Sequence, residues 1–83
     1  MKLNRTLDLP AKKISFTRIF GTGRPAANGV VGWEMEPPEE GKRYRVYLGR
    51  GKILKTSVIT EIQRTPHAIF VRTKNSLYQI EYL

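Results

Sequence analysis

Residues 42–83 read KRYRVYLGRGKILKTSVITEIQRTPHAIFVRTKNSLYQIEYL, and their period decides the fold class. From Arg43 to Leu48 the alternation is strict: Tyr44, Val46 and Leu48 fall on one face, Arg43, Arg45 and Tyr47 on the other. Successive side chains of a strand point to opposite sides, so this is an antiparallel strand with one buried face. Gly49-Arg50-Gly51 supplies the positive φ that a tight hairpin needs. Lys52 to Lys55 start the return strand. Thr56-Ser57 breaks the apolar parity and predicts a bend or bulge, after which Val58 and Ile62 are assigned inward. Thr65-Pro66-His67 turns the chain into Ala68–Thr73, with Ile69 and Val71 on one face, Phe70 and Arg72 on the other. Lys74-Asn75-Ser76 is a second tight turn, with Asn75 the natural left-handed residue. The closing segment places Tyr78, Ile80 and Tyr82 inward.

Working back from this meander, Pro37-Pro38-Glu39-Glu40-Gly41 ends a strand, since proline donates nothing to a ladder. That strand, 30–36, puts Val31, Trp33 and Met35 on one face and Val30, Gly32, Glu34 and Glu36 on the other. Trp33 reads as a core anchor, because one indole removes a large apolar area from water. A stacking or peptide-docking platform is its alternative role. Glu34, Glu36, Glu39 and Glu40 read as a solvated acidic turn, since no His or Asp accompanies them to make a metal or acid–base site. Residues 21–29, GTGRPAANG, are a long loop carrying Arg24. They lack the Gly-Lys-Ser/Thr of a phosphate loop and the third glycine of a dinucleotide fingerprint. Residues 13–20 alternate as a strand, with Ile14, Phe16 and Phe20 on one parity and Arg18 as the misfit. Residues 1–12 form a loose N-terminal arm, broken by Pro10. The expected whole is all-β: a single small antiparallel barrel, or highly curved meander, of six to seven short strands over 13–83.

Part of this pattern resembles known sequences. Thr56-Ser57-Val58 through Ile62, then Val71-Arg72-Thr73-Lys74-Asn75-Ser76-Leu77-Tyr78, is similar to a pattern in small uncharacterised bacterial proteins, and the rhythm is that of the SH3-like barrel. The resemblance covers the C-terminal third. It implies the fold and a bacterial source, with no activity attached.

Composition narrows the functions. The chain has 83 residues, no cysteine, and a net charge of +8. Disulfide scaffolds and thiolate metal sites are excluded. No apolar run approaches the ~20 residues that span a bilayer, and the N-terminus does not read as a signal peptide, so the expected location is cytoplasmic. The positive charge lies on both halves, +5 over 1–33 and +7 over 42–83, around −4 over 34–41. Such a balance favours anionic partners, either nucleic acid or an acidic protein.

No catalytic constellation, cofactor motif or metal site is expected. His67 is the one histidine, in a turn where a solvated imidazole is ordinary, and Asp8 is the one aspartate. A non-enzymatic binding face is better supported. Arg43, Arg45 and Tyr47 on one strand, Phe70 and Arg72 on another, and Lys74 beyond them interleave cations with aromatic rings. Cations meet phosphates and rings stack on bases in proteins that hold nucleic acid. Arg24 at the loop tip is a further candidate contact. The alternative is a protein-interaction or assembly module, using an SH3-like groove near Trp33, Tyr44 or Tyr47, or ordering of the 21–29 loop on a partner.

Overall fold

The computed structural model describes residues 12–22 and 29–83. The expected arm, apart from Lys12, and the loop residues 23–28 with Arg24 lie outside the described residues. Six strands follow one another: β1 (Lys13–Gly21), β2 (Val30–Glu34), β3 (Arg43–Gly49), β4 (Lys52–Arg64), β5 (Ile69–Thr73) and β6 (Ser76–Tyr82). Each pairs antiparallel with the next, and β6 returns to β1 to close a barrel. Closure gives each strand two neighbours, the physical answer to the exposed-edge problem. No helix forms among the described residues. The all-β expectation and the small antiparallel barrel are therefore what the chain adopts.

Outside β4, the core is what the alternation in the meander and in β1 requires. Ile14 and Phe16 of β1, Tyr44 and Val46 of β3, Ile59 of β4, Val71 of β5, and Tyr78 and Ile80 of β6 are buried together. Phe16 lies between two rings: it stacks on Tyr78, with centroids 4.9 Å apart and planes 17° apart, and tilts against Tyr44 at 5.4 Å. Such pairs contribute about 0.5–1.5 kcal/mol each beyond the area they bury.

Bulges rearrange three parts of the expected pattern. Arg43 faces Val58 and Arg45 faces Lys55, so three steps of β4 oppose two of β3. The extra residue falls in the segment where Thr56-Ser57 predicts it. Thr56 is turned inward, and its hydroxyl accepts a hydrogen bond from the Tyr44 backbone N–H at 3.0 Å. Parity then resumes with Ile59 inside and Val58 outside, the reverse of the expectation for Val58. A second bulge follows between Ile59 and Glu61, where the Thr60 hydroxyl donates to the Arg72 carbonyl. In β1 the register shifts between Arg18 and Phe20, which sends Phe20 to solvent.

The inward face of β2 is also reversed. Gly32 and Glu34 are buried, whereas Val31, Trp33 and Met35 face outward. The cause is close packing at Gly32. A Cβ there would lie 2.7 Å from both the Tyr47 carbonyl oxygen and Val46 Cγ1, so only glycine fits. Trp33 is therefore not a core anchor, and its indole is 38% exposed.

Candidate nucleic-acid interface

The reversal of β2 assembles an outer face that neither β2 nor β3 makes alone. Trp33 is directly opposite Lys13 on one side and Tyr47 on the other, and Tyr47 is opposite Ile53. One lateral row thus crosses four strands as Lys13, Trp33, Tyr47, Ile53. Opposed residues on one sheet face are spaced about 4.5–5.5 Å apart, so the row is continuous. The two rings are 6.4 Å apart with planes inclined at 50°. The Tyr47 ring is held by its hydroxyl oxygen, which accepts the Gly51 backbone N–H at 3.1 Å. Gly49, Arg50 and Gly51 all have positive φ, as the hairpin reading of this turn requires. Arg50 is the one non-glycine residue among those described that has this conformation.

Cations border the row. Arg45 and Lys55 face each other in the next outward position. Arg45 lies 3.5 Å from Glu36, and Arg43 donates to the Thr56 carbonyl at 3.3 Å. Lys13, Lys52 and Lys55 form no ion pair among the described residues. The acidic segment is accordingly divided in its roles. Glu36 and Glu39 are solvated and pair with Arg45 and Lys42, contacts that contribute little at such exposure.

Glu34 does not belong to the solvated turn at all. It is buried, and its Oε1 accepts hydrogen bonds from the Tyr44 hydroxyl at 2.8 Å and the Tyr82 hydroxyl at 2.6 Å. Burial pushes the Tyr44 phenol far above its usual range, and the neighbouring Glu34 charge adds to this. Tyr82 is raised too, by burial first and then by its hydrogen bond to Glu34, with Arg64 acting in the opposite direction. Lys12 stands 5.0 Å from the Tyr82 ring centroid, a cation–π contact. The network ties β2, β3 and β6 together directly behind Trp33.

The expected site residues divide between two regions. Arg43, Arg45 and Tyr47 lie on the face just described. Phe70 and Arg72 lie at the other end of β4, opposite Gln63 and Glu61. Along β4, Val58 opposite Arg43 and Glu61 opposite Arg72 are three positions apart, while Lys55 opposite Arg45 and Gln63 opposite Phe70 are eight, roughly 25 Å. Phe70 is half-buried there, and Arg72 pairs with Glu61 at 3.7 Å. Together with Gln63 and Leu77 they line a shallow cavity of about 250 Å³. Lys74 is exposed at the β5–β6 turn. Sequence reasoning missed Lys13, Ile53 and Lys55 as members of the face, and gave Trp33 the wrong side. No local signal marks the reversal of β2, since Gly32 and Glu34 lack apolar side chains and read as the outer face, opposite an alternating apolar set.

Among the described residues no group of three His, Asp or Glu could hold a metal ion. No helix there is long and apolar enough to cross a membrane. Comparisons with protein-family models, curated proteins and solved structures gave no match for this chain.

Proposed function

We propose that this protein is a non-enzymatic nucleic-acid-binding barrel, and that the outer face of β2, β3 and the first half of β4 is the contact surface. The observation that carries this reading is the row of Trp33 and Tyr47, open to solvent and bordered by Lys13, Arg45, Lys52 and Lys55. Aromatic faces and cations at neighbouring positions suit a ligand that alternates bases and phosphates. The chain's +8 charge acts in the same direction, drawing polyanions to the surface. Arg43 extends the basic border. Phe70 and Arg72 lie further along β4, opposite Gln63 and Glu61, whereas Lys74 follows Thr73, which faces Ile59 beside the Arg43–Val58 pair.

A second reading has support of its own. Val31 and Ile53 are exposed on the same face, and aliphatic side chains suit an acidic protein partner better than they suit bases. The test is an anisotropy titration with labelled DNA and RNA across a salt series. Contact with three to five phosphates predicts a log–log slope of roughly −2 to −4. Absence of binding at low salt to both nucleic acids would remove the first reading and leave the second.

A further inference from the structure

We infer that the nucleic acid taken by this face is single-stranded, with neighbouring bases stacked separately on Trp33 and Tyr47. This rests on the reading above and adds the form of the ligand. A base clamped between two rings needs them parallel and about 6.8 Å apart, twice the ~3.4 Å repeat of stacked bases. Here the centroids are 6.4 Å apart but the planes diverge by 50°, so no base fits between them. Each ring is instead taken to receive its own base on the part left to solvent, with Trp33 38% and Tyr47 37% exposed.

Two adjacent bases seated on these rings would rest on centroids 6.4 Å apart, nearly twice the repeat of a helical stack, with planes inclined at 50°. They must therefore be splayed, which a duplex permits only by unpairing. A paired duplex presents base edges and backbone to a convex wall, leaving the ring faces unused. The row has a definite end. Ile53 follows Tyr47 and has no π-face, so the stack comprises two bases. Lys13 flanks the Trp33 end, and Lys55 stands one outward position from the Tyr47–Ile53 pair, about 7 Å along the strand. Both are within reach of phosphates linking the stacked nucleotides. Tyr47 is already fixed by Gly51, so its ring meets a base without first losing freedom.

The test uses the full chain and its single tryptophan. Labelled oligothymidine and oligouridine of about 12 nucleotides are compared with a duplex of the same length at low salt, within the usual site size of such folds. The expected result is single-strand binding at least roughly tenfold tighter than duplex, with quenching of Trp33 fluorescence. Trp33→Ala lowers single-strand affinity by roughly 5- to 100-fold and leaves duplex affinity unchanged, whereas Trp33→Phe retains most of the binding. Equal affinity for both forms, with Trp33→Ala silent, overturns the inference while leaving nucleic-acid binding intact. Binding of neither form overturns both readings. Unchanged circular dichroism of both variants separates lost stacking from lost fold.

Discussion

Replacing Tyr44 by Phe is the sharpest test of what holds the barrel together. The substitution keeps the ring against Phe16 and removes one hydroxyl from a buried carboxylate. A hydrogen bond to a charged group contributes about 1.5–3 kcal/mol, so Tyr44→Phe is expected to cost that much. A domain of 83 residues has roughly 4–12 kcal/mol in total, so the loss is a large fraction. Tyr82→Phe removes a bond of similar length to the same oxygen, but Tyr82 is 39% exposed and water can take the place of its hydroxyl. Its cost should be smaller, about 0.5–1.5 kcal/mol.

Either hydroxyl alone still serves Glu34 Oε1, so the double variant should cost more than the two singles added. The excess is about 0.5–3 kcal/mol, as for residues that share one network. Urea unfolding followed by circular dichroism measures all three. With a slope of about 1–1.5 kcal/mol per molar, the Tyr44→Phe midpoint falls by roughly 1–3 M. A midpoint equal to the parent's, or a larger loss in Tyr82→Phe than in Tyr44→Phe, would refute the reasoning.

Two further outcomes follow from the same packing. Alkaline stability should reflect Tyr44: its folded-state proton is held above the unfolded value near 10, so its contribution is intact below about pH 10. Above that pH the unfolded chain loses the proton first, and stability falls by up to about 1.4 kcal/mol per pH unit. Urea midpoints taken from about pH 8 to about pH 11.5 should decline less steeply in Tyr44→Phe, and identical slopes would show that this phenol is not the cause. Gly32→Ala should cost at least about 1–3 kcal/mol, because its Cβ meets backbone and a buried side chain. Gly51→Ala meets open space and bears only left-handed strain, about 1–2 kcal/mol. Thermal melts that place Gly51→Ala below Gly32→Ala would mean that β2 is not packed as closely against β3 as the geometry requires.

The parts of this molecule that were readable from sequence are those where period alone decides. Tyr44, Val46 and Leu48 alternate without interruption, and they point inward as their spacing requires. Val71, Tyr78 and Ile80 do the same. The parts that were not readable depend on partners distant in the chain. Glu34 is buried because hydroxyls ten and forty-eight positions away meet it, and no local pattern encodes them. Gly32 faces inward because the wall of β3 leaves no room for a Cβ. Trp33, lying between these two, is forced outward despite its apolar character. At Thr56-Ser57 the break was legible but not its sense, since a bulge can send the next residue to either face. The outer face shows the same limit: the spacing of Arg45 and Tyr47 puts both on it, whereas their neighbours across β2 and β4 come only from the strand pairing.

The return of β6 to β1 sets an order of events during synthesis. Ile14 pairs with Tyr82 and Phe16 with Ile80, so the first described strand has no second neighbour until the last has been made. At about 5–20 residues per second, β1 waits roughly 3–12 s on the ribosome with Ile14 and Phe16 lacking their final cover. The hairpin β3–β4 joins sequence neighbours and can form within that interval. Closure then occurs as a single late step, in which the growing chain covers Ile14 and Phe16 and loses its last open edges together.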